Sequence, residues 1–387
     1  MPLSIHAFVS AKRMSNGPAE SKPLTINQRR WRKFKGLKRG YYALVILMSA
    51  YVLTFFLPLL INNKALVVSY QGDWYSPAGR DFVKSLPLVG LIAPPSFYSG
   101  ETFGQPGDQA EANYRVLQLQ WDEQGSDNWI LMPPYPFGPN EDITLEGNEK
   151  FLAPFEADGN GFARWLGTDD RGRDVLARMS YGFQVSMTFA LLIAILEYLI
   201  GIPVGAMMGF FGRWFDLLMQ RFMEIWSALP FLFLIIIIVS FVEPTFSLLV
   251  FLLVIFSWLG IATQMRAQFY RERSRDYVAA AVSIGVSTPT IIVKHILPNT
   301  LVPIITFFPF AVVGGITALV SLDYLGFGLP PPTASWGQMI GVGLANLRQY
   351  WLVLVPFSAL FLTLTLVVFI GEGIREAFDP KVFSRLR

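Results

Sequence analysis

Six long apolar runs recur along the chain, near Tyr41–Ile61, Phe183–Phe211, Phe222–Val242, Phe246–Met265, Thr300–Leu322 and Tyr350–Ile370. Each has the ~20-residue length that a helix needs to cross a bilayer. In isolation, a stretch such as Phe-Leu-Phe-Leu-Ile-Ile-Ile-Ile-Val at 231–239 would suit a buried strand. Six such runs in one chain predict an all-α polytopic membrane protein with six transmembrane helices.

Between the fourth and fifth runs lies a polar, arginine-rich stretch, 266–299. Within it Tyr277, Ala280, Ala281 and Ile284 fall at i, i+3, i+4 and i+7, one stripe of a short helix. Two alanines in that stripe leave a shallow face for a partner to pack against. Gly285 suits the left-handed residue after a helix C-terminus. Thr288 is placed to cap a second helix with Pro289 at its first position, and Pro298 to close it. The pattern predicts a helix–turn–helix at a membrane face, built to be gripped from outside the membrane.

Charge changes the picture by fixing an orientation. Only 15% of the 387 residues are charged and 53% are hydrophobic, against ~25% charged in ordinary soluble domains. Residues 1–40 carry ten Lys/Arg and one acid, Glu20, which predicts a cytoplasmic N-terminus. The runs then alternate. Residues 212–221, 266–299 and the tail fall inside, and each carries arginine: Arg213 and Arg221; Arg266, Arg271, Arg273 and Arg275; Arg375, Arg385 and Arg387, with Lys381. The outer loops carry Glu243 and, in 323–349, Arg348 as their one base. The first run begins after forty residues without an obvious small-x-small cleavage site, so it reads as an uncleaved span and not a signal peptide.

These assignments divide the chain into a basic N-terminal segment (1–40), a first transmembrane helix (41–61), an extracytoplasmic segment (62–165), a five-helix core (166–374) that includes the 266–299 loop, and a cytoplasmic tail (375–387). The 61–164 stretch holds fourteen acids against six bases and is rich in proline, glycine and aromatics, including Trp74, Trp121, Trp129, Pro94 and Pro95. Val67–Tyr70 and Trp129–Met132 suit short strands. Two readings stay open for this segment, an irregular cap on the membrane domain or a docking surface for an external binding protein. Asn27–Tyr42 interleaves bases with Trp31, Phe34, Leu37, Tyr41 and Tyr42, which suits either an interfacial helix on anionic lipid or a disordered positive anchor. The segregation of charge argues for membrane lipid, and against nucleic acid, as the partner of these bases.

Candidate chemistry is sparse. There are no cysteines, no Gly-x4-Gly-Lys-Ser/Thr phosphate loop, no Gly-x-Ser-x-Gly elbow and no His-Glu-x-x-His. Two separated histidines, His6 and His295, make no metal cluster. The pattern predicts a non-enzymatic chain with no cofactor of its own. Glu197 sits mid-way along the second run, where a charge costs ~2.5–3.5 kcal/mol. It lines a translocation route or is a hydrogen-bonded packing group. A stand-alone ion-coupled transporter using Glu197 as its proton site is the alternative function. Glu224 reads as snorkelling to water or pairing with Arg221. Gly201-Ile202-Pro203, Gly205 and Gly209 permit a kink and close helix approach.

The spacing Ala279-Ala280-Ala281, Gly285 and Leu297-Pro298 resembles the EAA loop of ATP-binding-cassette (ABC) importer permeases, with Ala279 in place of the usual Glu. Residues 166–178, Leu-Gly-Thr-Asp-Asp-Arg-Gly-Arg-Asp-Val-Leu-Ala-Arg, resemble the segment before the second span in dipeptide/oligopeptide permeases. Tyr324-Leu325-Gly326-Phe327-Gly328-Leu329-Pro330-Pro331-Pro332 with Ser335-Trp336-Gly337 resembles their outer loop before the last span. Asn63–Val68 and Gly72–Tyr75 are similar to the Yej-type branch, which imports microcin C and oligopeptides. The resemblance implies an inner-membrane permease subunit forming half of a peptide path. It implies a second homologous permease as partner, a different chain in a heterodimer, with a homodimer as the open alternative. ABC ATPase subunits would bind the ATP and magnesium, and a periplasmic binding protein would deliver substrate. It implies that Asp276, Tyr277, Ala280, Ala281, Ile284, Gly285, His295 and Pro298 couple the chain to the ATPase.

Overall fold

The computed structural model describes residues 25–85, 97–105, 111–142, 150–159 and 161–378. The leader with His6, Pro94 and Pro95, and the tail bases Lys381, Arg385 and Arg387 lie outside the described residues.

The chain is mostly helical. Thr25 caps α1 (Ile26–Gly36) through a reciprocal pair with Gln28. After Leu37 the chain restarts as α2 (Lys38–Thr54), and Phe55-Phe56 turn it into the short α3 (Leu57–Leu60). The interfacial-helix reading of Asn27–Tyr42 therefore corresponds to an ordered helix that breaks at Leu37. Phe34 of α1 is buried, and the Lys33 ammonium bonds the Glu376 carbonyl near the chain's far end.

The extracytoplasmic candidate is more regular than its sequence suggested. It contains β1 (Val67–Tyr70), β2 (Asp73–Tyr75), α4 (Pro77–Ser85), α5 (Tyr114–Gln124) and β3 (Trp129–Leu131). The strands form an antiparallel sheet in the order β2-β1-β3, with Ser69 opposite both Trp74 and Trp129. Val68, Phe103, Tyr114, Leu117, Trp121 and Ile130 close its core.

The helical core follows. α6 (Val175–Phe211) has 37 residues and is ~55 Å long, so it outreaches a ~30 Å apolar layer. It begins eight residues before the predicted run because Asp174 caps it, accepting the Ala177 N–H at 2.7 Å. The predicted third run is not one helix. It divides into α7 (Arg213–Ser227) and α8 (Phe231–Phe241), bent by 65°. Pro230 is the cause, since it lacks an N–H and pushes Leu229 out of helical geometry. α9 (Phe246–Arg273) is capped by Thr245. Next come α10 (Asp276–Ser283), α11 (Thr288–Thr290), a π-helical stretch Ile291–Ile296 and α12 (Leu297–Ile305). A 53° bend separates these from α13 (Phe308–Tyr324). Pro309 sets it, because its ring excludes a helical bond to the Ile305 carbonyl. The predicted outer loop 323–349 contains a helix, α14 (Trp336–Ala345), whose glycines hid it from propensity. α15 (Trp351–Phe378) ends the described chain.

Among the described residues three helices, α6, α9 and α15, are long and apolar enough to cross a membrane singly, and the two bent pairs raise the number to five. The first predicted span, α2, has 17 residues and reaches only ~26 Å.

The central seam is α6 against α9. Gly201, Gly205 and Gly209 form one stripe at four-residue spacing. A Cβ at Gly201 would lie 2.8 Å from the Trp258 carbonyl; at Gly205, 2.8 Å from Met265 Cβ; at Gly209, 2.6 Å from Phe269 Cβ. Close backbone approach through small residues drives helix association where lipid offers no hydrophobic contrast. Glu197 continues this stripe one turn earlier and is buried beside Ser257 of α9.

Candidate functional site

The helix predicted to be gripped exists, but its phase differs from the sequence reading. Val278 and Ala281 are its buried positions, packing into a cluster with Met265, Phe269, Ile291 and Ile296. Tyr277 and Ala280 face outward, and Ile284 beyond the helix end is 79% exposed. The predicted stripe Tyr277/Ala280/Ala281/Ile284 is therefore corrected: Ala281 belongs to the inner face. Every position from Tyr277 to Val282 is apolar, so the sequence gives no polar side to set the phase.

Gly285 has φ +80°. The Gly285 N–H donates to the Val282 carbonyl at 3.0 Å and the Val286 N–H to the Ala281 carbonyl at 3.1 Å. These two bonds make a Schellman ending, which needs a left-handed residue at that place. The second helix starts differently from expectation. Ser287, not Thr288, occupies the cap position, its hydroxyl 2.9 Å from that of Thr290. Pro298 does not close the second helix. It lies at the first turn of α12, and the chain passes through it by way of the wider π-helical turn at Ile291–Ile296. That widening accommodates a ring that would clash in an α-helix interior.

The remaining predicted residues are close together. Asp276 opens α10 and is exposed. The Tyr277 hydroxyl donates to Glu272 at 2.9 Å, at the end of α9. Asn299 donates to the His295 carbonyl at 3.2 Å, and half-buried His295 lies one turn before Pro298. At the same end of α9, Arg266 grips Asp216 of α7 through two bonds of 2.5 and 2.7 Å. A bidentate pair of this kind fixes orientation as well as distance. The arrangement is a rigid knob, keyed into α9 through Val278 and Ala281, with an outward face of Tyr277, Ala280 and Ile284. Glu197 is not part of it.

A second constellation, at the opposite end of α6, was not read from the sequence as chemistry. Arg164, Asp169, Asp174 and Arg178 are all buried. Arg164 lies 3.8 Å from both Asp158 and Asp174, with its guanidinium over the Phe137 ring. Asp169 takes Arg173 at 2.7 Å and Arg178 at 3.6 Å. Tyr135 donates to Asp174 at 2.7 Å. The two loop motifs meet here. The Trp336 indole donates to the Met179 carbonyl at 2.9 Å, and the Trp351 indole donates to the Thr168 carbonyl at 3.1 Å. The knot ties the segment that precedes α6 to α6, α14 and α15. The available signal was Asp174 directly before an apolar helix, a capping pattern.

Burial pushes the Asp174 carboxyl up to about 6, against the opposing pull of the Ala177 N–H, Tyr135 and Arg164. An acid whose folded value is raised binds more protons folded than unfolded, so its contribution is full at low pH and fades as pH rises. Stability should fall between about pH 4 and 6 and then level off. Melting curves of the purified protein across that range, with Asp174→Asn as comparison, check this. Asn keeps the cap oxygen, so the variant should lose this pH step.

The profile of the family described as binding-protein-dependent transport system inner membrane component matches residues 201–384. The chain is 37% identical to the peptidoglycan transport system permease protein YejE of Agrobacterium fabrum, covering 92% of this chain and 93% of that one. It is 39% identical to the inner membrane ABC transporter permease protein YejE of Escherichia coli, covering 92% and 97%. It is 36% identical to the oligopeptide transport system permease protein OppC of Haemophilus influenzae, over 56% of this chain and 70% of that one.

Proposed function

Because the chain belongs to the binding-protein-dependent transport system inner membrane component family, within its Yej branch, we propose that this ABC importer permease subunit forms half of a path for peptides or peptide-like solutes, and that α10 carries ATPase motion into it. Membership makes the chain a non-catalytic membrane component that works with an ATPase and a substrate-binding protein.

The finer reading is as follows. The α2–α3 segment, α6, the bent α7–α8 pair, α9, the bent α12–α13 pair and α15 are six spans with both termini in the cytoplasm of a bacterial inner membrane. The 62–165 segment then faces the periplasm, as a cap on the membrane domain or as a docking surface for the binding protein. The second permease is a different chain, and ATP and magnesium reside in the ATPase. Peptide-like cargo, microcin C among the candidates, is supported by relatives named for oligopeptide and peptidoglycan transport. The observation that carries the coupling role is the knob itself: an exposed apolar face on a helix locked to α9 by buried Val278 and Ala281. A lever needs both a grip and a rigid root, and motion of packed helices as rigid bodies then opens or closes the path.

Purification from native membranes with identification of the companions tests this. An ATPase and a second permease are expected. Isolation of the chain alone, with solute flux in proteoliposomes lacking nucleotide, would overturn it in favour of autonomous transport.

A further inference from the structure

Polar side chains lie on an outward face of this bundle, within the length of α7 and α9 assigned above to spans. α7 has no buried residue, yet it lies antiparallel along α9. Asp216 meets Arg266 at one end of the contact, and the Trp226 indole donates to the Ile255 carbonyl at 3.0 Å at the other. Ile255 is ten residues into α9, ~15 Å along it, half of a ~30 Å apolar layer. Glu224 lies about half a turn before Trp226 and Arg221 about one turn further toward Asp216; they pair at 2.6 Å with side chains 67% and 57% exposed. Beside them a cavity of about 300 Å³ is lined by Gln220, Glu224, Ser227, Thr263 and Arg266 together with Met208, Met223, Leu259 and Gly260. An exposed ion pair between mid-depth and the inner end of the span, next to amide and hydroxyl groups, is costly against hydrocarbon and ordinary against water.

We propose that Gln220, Arg221, Glu224, Ser227 and Thr263 form a hydrated wall of the substrate path, in which the Arg221/Glu224 pair supplies counter-charges for the two ends of a zwitterionic peptide. The second half rests on the peptide reading above; the first does not. Glu224 offers a carboxylate to an ammonium and Arg221 a planar fork to a carboxylate. The pair already satisfies itself, so the wall stays neutral when empty. Glu197, buried in the α6–α9 seam, plays no part.

The native chain has no cysteine, so single cysteines report without background. In the complete transporter, Ser227→Cys and Thr263→Cys should react with a membrane-impermeant cationic thiol reagent about a hundredfold faster than Leu199→Cys and Phe361→Cys, whose thiols would face lipid and resist ionisation. Equal, slow reaction at all four positions in every nucleotide state would overturn the wall and mark the face as a dry joint between permeases. For the counter-charges, Glu224→Gln should raise KM for trialanine about tenfold, as loss of one charged contact does, and leave N-acetyl-trialanine unchanged. Unchanged KM for both would remove that role. If the unaltered transporter carries no trialanine, the peptide reading and its counter-charges fall together, while thiol labelling still decides the wall.

Discussion

Gly205→Leu should destabilise the folded permease more than any other single change in the α6–α9 seam. The new side chain would be driven into the Ala262 carbonyl and Met265 of α9, backbone that cannot swing aside. Overpacking a well-filled core costs ~1–3 kcal/mol where neighbours can adjust. Here the obstacle is a helix main chain, so ~3 kcal/mol or more is expected, against total stabilities of only ~5–15 kcal/mol. Heating detergent-solubilised protein and following the monodisperse fraction should show a midpoint lower by about 10 °C. Gly314→Ala is the matched control. A Cβ there meets no atom within 4 Å, and alanine is the better helix former. An unshifted midpoint for Gly205→Leu would mean that α6 and α9 are not packed in this way.

Gly285→Val should abolish transport while leaving the protein in the membrane and folded. A left-handed backbone costs an ordinary L-residue ~1–2 kcal/mol, and a β-branched one more. That strain is relieved by opening the turn, which loses the two Schellman bonds and re-aims α10 relative to the following helix. Few core contacts change, because no atom lies within 4 Å of the added Cβ. The two alanines separate grip from root. Ala280→Trp covers the outward face and should lose ATPase copurification and uptake with an unchanged melting midpoint. Ala281→Trp intrudes on Met265, Phe269 and Ile291 and should lower the midpoint by several degrees. Loss of stability from Ala280→Trp, or transport by Ala281→Trp at full stability, would reverse the assignment of the two faces.

The membrane helices were legible because length and hydropathy suffice for them, and their breaks fall at Pro230 and Pro309 for reasons visible in the chain. The existence of the knob and its glycine turn was legible too, since Gly285 has few uses after a short helix. Its phase was not, because the helix is apolar on both sides. Pro298 misled for a physical reason. Proline usually marks a stop, but a π-turn before it lets the helix run on. The buried knot of Arg164, Asp169, Asp174 and Arg178 was hidden because charges in a loop read as solvated. Only folding shows that the loop is roofed by Tyr135, Phe137, Trp336 and Trp351. Glu197 could be read as path or packing. Its place on the glycine stripe puts it in a seam, whereas the pairing of Glu224 with Arg221 was legible from their spacing and is what the structure shows.

The lever is tested most directly by a site-specific cross-link. With Ala280→Cys as the chain's single cysteine, a short cross-linker with one thiol-reactive end and one photoreactive end is attached there, and the complete transporter is irradiated with and without ATP. The account predicts an adduct between this chain and the ATPase subunit whose yield changes when ATP binds. An Ala280→Cys that remains freely reactive toward solvent in the assembled transporter, and joins no ATPase in either state, would contradict it.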